Sequence, residues 1–143
     1  MTQIIGIKIT KIKNITTPNG SVLHALRYSD NDLDTYAETY FSLIKKDKIN
    51  GWKMHKEMTL NLIVPVGEVR FNFIDTRLNS ETKNERMELT LSRENYFRIT
   101  VPPLIIFAFK GLSSGDNLVT NISNLEHNDD ECVQIALEKY KFI

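Results

Sequence analysis

Cysteine occurs once in these 143 residues, at Cys132, so no disulfide can form within the chain and a reducing compartment suits it. Glycine is sparse too. The six glycines are scattered and none forms GxGxxG or GxxxxGK(S/T), which excludes the loops that cradle phosphates with successive backbone N–H groups. Net charge is missing: 18 basic residues balance 18 acidic ones, and the sequence pI is about 6.8. That excludes long-range attraction to a polyanion such as a nucleic acid, while leaving room for a local basic pocket for one phosphorylated ligand. Long apolar runs are absent as well. The longest, residues 101–109, contains two prolines and falls far short of the roughly 20 residues that span a bilayer. No basic stretch followed by an apolar run opens the chain, so a soluble, cytoplasmic protein without membrane contact is expected.

What is present is a succession of short alternating runs. Hydrophobic residues at 41% and charged residues at 25% are the balance of a soluble core, and this length predicts one domain over residues 1–143. IIGIKITKIKNI (4–15) alternates apolar and polar positions as a half-exposed strand does, and Pro18-Asn19-Gly20 supplies turn chemistry before a return strand over 21–28. Residues 36–44 favour a strand, and 45–50 read as a polar connector. Six further strands follow in MTLNLIVPV, EVRFNFID, MELTLS, YFRITV, IIFAFKGL and NLVTNIS, separated by turn-rich connectors. This spacing predicts a mostly β protein, an antiparallel sandwich or barrel of the class that includes cupin-type jelly rolls. Only DDECVQIALEKY (129–140) reads as helical. Asp129 and Asp130 would cap it, and Val133, Ala136, Leu137 and Tyr140 would line one face.

Three histidines remain to be placed. His24 reads as a strand or surface side chain and His127 as part of a solvated turn. His55 stands among Met54, Lys56 and Glu57, with only Glu57 near enough in sequence to join it at a metal, whereas metal sites gather three or four ligands. No metal site is therefore expected, and Cys132 reads as a small packed residue.

GWKMHKEMTLNLIVPVGEVRFNFID followed by YFRITVPPLIIFAFKGL resembles the core of the dTDP-4-dehydrorhamnose 3,5-epimerase family and related nucleotide-sugar-modifying cupins. The family's Gly-Leu-His segment is matched by Met54-His55, its Gly-Glu-Val turn by Gly67-Glu68-Val69, and its strand-ending aspartate by Asp75. Its later histidine falls on Phe107. The likeness covers roughly residues 35–125. His55 stands twelve residues before the turn glycine, as in cupins generally, but Thr59 and Leu60 fill the place of the cupin ligand glutamate. The resemblance thus implies a jelly roll without metal or cofactor, with His55 as the base.

It also implies an epimerase or ketoisomerase for a nucleotide-linked 4-keto-6-deoxy sugar, working in surface polysaccharide synthesis as a cytoplasmic homodimer. Histidine suits proton abstraction near neutral pH because its ordinary pKa is about 6.5, and a lysine can stabilise the developing enolate. Lys53, Lys56 and Lys110 are candidates for the enolate oxygen or the diphosphate. Asn61, Arg70 and Asn72 are candidates to line the barrel, with an outward, solvated placement as the alternative. Trp52 and Tyr40 are aromatics that could stack on a base or sugar; Phe71, Phe73 and Phe107 read as core. The family's proton-donating tyrosine falls at Thr120, and its acidic partner for the histidine has Asp129, Asp130 and Glu131 as candidates, with capping as their competing role. A relative that binds a nucleotide sugar without chemistry is the alternative to an enzyme.

Overall fold

The computed structural model describes residues 3–143, so the first two residues of the expected domain lie outside it. The strands are β1 (Lys8–Lys11), β2 (Asn14–Thr17), β3 (Gly20–Leu23), β4 (Glu38–Ile44), β5 (Ile49–His55), β6 (Leu60–Val66), β7 (Val69–Asp75), β8 (Arg86–Leu91), β9 (Phe97–Val101), β10 (Ile105–Gly111), β11 (Asn117–Ser123) and β12 (Cys132–Gln134). One five-stranded sheet has the order β1-β9-β6-β11-β4 and the other β12-β5-β10-β7-β8, with antiparallel pairing throughout; β2 and β3 form a separate ribbon. This is a cupin-type jelly roll, as the alternating runs predict.

Period-2 alternation turns one face of each strand inward. Leu60, Leu62 and Val64 of β6, Ile99 and Val101 of β9, Phe71 and Phe73 of β7, and Phe107 and Phe109 of β10 meet in one buried cluster between the sheets. Gly67 closes the turn between β6 and β7 with φ +79, where a Cβ would lie 2.3 Å from the Asp116 carbonyl oxygen. The long opening strand expected over 4–15 is instead two elements, because β1 pairs with β9 and β2 pairs with β3. The return strand stops at Leu23, and a single 3₁₀ turn follows at Tyr28–Asp30.

The expected C-terminal helix is not formed. Residues 132–134 pair as β12 against β5, and only Leu137–Lys139 make a 3₁₀ turn. The competing force is burial of Trp52, Ile74, Ile106 and Ala108, an apolar patch on the outer face of the β5-β10-β7 sheet that Ile135, Tyr140 and Phe142 cover. An extended tail covers that length of sheet better than a compact helix.

Segment 25–34 plays the corresponding part on the other sheet. Arg98, 0% exposed on the outer face of β9, donates to the Ala25 carbonyl oxygen (2.7 Å) and the Asp30 carboxylate (3.2 Å) and bonds the Asp32 carboxylate. Arg98→Met removes the buried cation shared by two largely buried carboxylates and leaves them only the exposed Lys8 and Arg27 as partners. It should lower stability by about 3–5 kcal/mol, read as a fall in denaturant midpoint at unchanged slope.

Asp75, also 0% exposed, organises the turn after β7 by accepting bonds from Arg77 (2.9 Å), Ser80 (2.6 Å) and Thr82 (2.7 Å). The Arg77 bond first, then those from Ser80 and Thr82, outweigh burial and hold this carboxyl well below its ordinary 3.8. Because the folded value is the lower one, the stabilisation is complete above about pH 4 and is lost as pH falls towards the folded value. Asp75→Asn should cost about 2–3 kcal/mol at pH 7, and its stability curve should converge on the wild type's in acid.

Candidate active site

The site starts from an irregularity in β5. Lys53 pairs with Phe107 of β10, but the next pair is Gly51 with Ala108, so Trp52 is an extra, bulged residue. Gly51 is required there: its φ is +136, and a Cβ would stand 2.6 Å from that of Ala108. The bulge sends Trp52 to the outer face, 0% exposed, with its indole N–H donating to the Leu137 and Tyr140 carbonyl oxygens. It is therefore not available to stack on a ligand. Lys53 and His55 turn inward.

His55 is 5% exposed, and its ring stacks on Phe107 with centroids 6.1 Å apart. Its Nδ1 lies 2.6 Å from Oε1 of Glu131, the residue just before β12, where Cys132 pairs with His55. The other carboxylate oxygen accepts the backbone N–H groups of Glu57 (2.9 Å) and Met58 (2.8 Å). Burial raises the Glu131 pKa, but the bonds from His55, Glu57 and Met58 outweigh it and hold the group below its ordinary value. An ionised carboxylate only accepts hydrogen bonds, so Nδ1 carries the imidazole proton and Nε2 presents its lone pair. Nε2 is buried and has no partner among the described residues. A base oriented by a carboxylate, with its second nitrogen free, is the arrangement proton abstraction requires.

Lys53 lies beside it on the same face, half-buried, with its ammonium 5.6 Å from the Phe107 ring centroid and 6.0 Å from that of Phe109. Among the described residues it makes no ion pair, and burial pushes its pKa down. From the facing sheet, Tyr40 of β4 and Asn121 of β11 are register partners whose side chains bond at 3.0 Å. The shared edge of the two sheets thus gathers a base, a cation, a phenol and an amide.

The remaining residues named from sequence are not brought to His55. Arg70, Asn72 and Lys110 share the outer face with Ile74, Ile106 and Ala108. There the Asn72 amide binds both the N–H and the carbonyl of Ile143, and Arg70 reaches Thr90. Asn61 is on the outer face of β6, donating to the Asp32 carbonyl oxygen and accepting from Thr100. Its work is to hold segment 25–34. Lys56 is exposed and donates to the Asp130 carbonyl oxygen.

Thr120 is an outward-facing residue, opposite Phe41 and Ile63, and its inward neighbours on β11 are Val119 and Asn121. Of the three acidic candidates, Glu131 alone meets His55, and no helix exists for Asp129 and Asp130 to cap. The string Gly111-Leu112-Ser113-Ser114-Gly115 has the spelling of a hydrolase nucleophile turn. It joins strand to strand, however, and not strand to helix. Among the described residues no three His, Cys, Asp or Glu side chains cluster to hold a metal. A surface cleft of about 910 Å³, lined in part by Met54, Arg77 and Leu104, contains neither His55 nor Lys53, and its arginine is tied to Asp75.

The two sheets and the edge-facing His55–Glu131 pair define a cupin-type jelly roll with a carboxylate-oriented imidazole inside. By structure the chain is similar to solved dTDP-4-dehydrorhamnose 3,5-epimerases and a dTDP-sugar isomerase, at low sequence identity. A dTDP sugar isomerase from Desulfovibrio desulfuricans superposes with a TM-score of 0.92 at 28% identity, over 95% of this chain and 87% of that one. A Legionella pneumophila dTDP-6-deoxy-D-glucose-3,5-epimerase, solved with dTDP-4-keto-L-rhamnose, gives 0.85 at 21% identity over 95% and 76%. The Sulfolobus tokodaii dTDP-4-dehydrorhamnose 3,5-epimerase gives 0.85 at 20% over 99% and 84%. No protein-family model and no curated protein sequence matches the chain.

Proposed function

We propose that this protein epimerises or isomerises a nucleotide-linked 4-keto-6-deoxy sugar by removing a proton from the carbon beside the ketone. The observation that carries this is the free Nε2 of His55 backed by Glu131. Nε2 takes the proton, Glu131 stabilises the imidazolium that results, and the unpaired Lys53 ammonium faces the negative charge that moves onto the ketone oxygen. An ammonium that lies over two phenylalanine rings and makes no ion pair among the described residues is free to meet an anion. The similar Desulfovibrio isomerase and the Legionella enzyme with its bound keto sugar support this substrate class. A cytoplasmic homodimer supplying surface polysaccharide synthesis is proposed on the family resemblance; no helix among the described residues is long and apolar enough to cross a membrane.

The test is to incubate the protein with dTDP-4-keto-6-deoxyglucose in D₂O and follow the sugar protons by NMR. Deuterium should enter at a carbon adjacent to the ketone. Tight binding without any exchange would overturn the enzymatic reading in favour of a binding protein.

A further inference from the structure

An epimerase needs a second group that returns a proton to the opposite face of the enolate, and the outward-facing Thr120 cannot supply one. The inward residue beside it, Asn121, leads to another. Its Oδ1 accepts the backbone N–H of Asn61 (3.1 Å), a group that can only donate, and this fixes which way the amide points. Its Nδ2 must therefore donate to the Tyr40 oxygen at 3.0 Å. The Tyr40 O–H is left without an acceptor among the described residues. Nδ2 also lies 3.9 Å from the Met58 sulfur, and the Met58 N–H is bonded to Glu131, so the phenol and the His55–Glu131 pair belong to one contiguous cluster.

Resting on the reading above, we propose that the Tyr40 hydroxyl is the proton donor on the face of the substrate opposite His55. The two side chains come from facing sheets, Tyr40 from β4 and His55 from β5, as attack and return from opposite sides require. The step balances within the site and solvent. His55 takes the carbon-bound proton, and the C–H electron pair becomes the enolate double bond, placing charge on the ketone oxygen. The carbonyl then re-forms as the enolate carbon takes the Tyr40 proton. The phenolate recovers a proton from water while the imidazolium gives one up. Asn121 Nδ2 stabilises the phenolate in the interval. Burial pushes the phenol pKa up against the Asn121 bond, and Glu38 and Glu131 push it in the same direction as burial, so the proton is in place at neutral pH.

Tyr40→Phe, with folding checked by thermal melting, separates this from the parent reading in the same D₂O assay. Deuterium entry should stay within about tenfold of wild type, with configuration retained, because His55 can return a solvent deuteron to the face it took the proton from. Formation of the inverted or isomerised sugar should fall by about 10²-fold or more. Product formation within about threefold of wild type would overturn the role of Tyr40, and so would loss of exchange together with product. Absence of exchange by the wild type would instead overturn the parent reading, and this one with it.

Discussion

His55→Asn should reduce deuterium exchange into dTDP-4-keto-6-deoxyglucose by about 10³-fold, within the range a positioned general base contributes. Asparagine is the informative replacement because its amide N–H can approach the place of Nδ1 and still donate to Glu131. That carboxylate is 8% exposed, and leaving it with only its two backbone donors, as His55→Ala would, should cost stability as well as activity. A small change in melting temperature beside a large loss of exchange would therefore locate the effect in the chemistry. Exchange at the wild-type rate would remove His55 from the mechanism, since no other histidine lies inside the sheets: the His24 carbonyl binds the Tyr96 hydroxyl, and His127 is an exposed turn residue bonded to Asp129.

The second large effect belongs to Glu131→Gln. The Gln oxygen can still accept the Glu57 and Met58 N–H groups, which turns its NH₂ towards His55 Nδ1. An amide N–H donates, so Nδ1 must become the acceptor and the proton moves to Nε2, the nitrogen that has to be free. A folded protein with the wrong tautomer should lose about 10²-fold or more in exchange rate. Glu131 touches no substrate in this scheme; it positions the base. The signature is spectroscopic: the ¹⁵N shifts of His55 should exchange their protonated and unprotonated patterns between wild type and variant. Unchanged shifts with lowered activity would point to a purely structural role. In the wild type Glu131 is held below its ordinary 4.5, so its bonds to His55, Glu57 and Met58 are complete above about pH 4.5 and weaken only as pH falls below it.

Most of the strands that sequence located carry apolar residues on the inner face: β6, β7, β8, β9, β10 and β11 follow the alternation of MTLNLIVPV, EVRFNFID, MELTLS, YFRITV, IIFAFKGL and NLVTNIS. Strand β5 escaped because its pattern is inverted. Its apolar Trp52 and Met54 face outward beneath or beside the tail, and its polar Lys53 and His55 face in. An inversion of this kind is what a site inside a barrel requires, and propensity alone reads it as a loop. The tail was misread for the complementary reason. Val133, Ala136, Leu137 and Tyr140 fall at helical spacing, but the sheet edge at β5 and the uncovered patch around Trp52 outweigh that local preference.

By itself the sequence determined the class of fold, through alternation and turn chemistry, and singled out His55, through the lack of any ligand set that could make it a metal site. It also determined that Asn61 and Ile63 share one face, as do Arg70 and Asn72. It could not say which face is the inside. That depends on what covers the other one, and here segment 25–34 covers β6 and β9 while residues 135–143 cover β5, β10 and β7. Only the tertiary structure decided that Glu131, 76 residues from His55, is its partner, and that Asn121 and Tyr40 rather than Thr120 face the interior. Parity along a strand is local chemistry, whereas the meeting of β12 with β5 and of β4 with β11 is a property of the folded sheets.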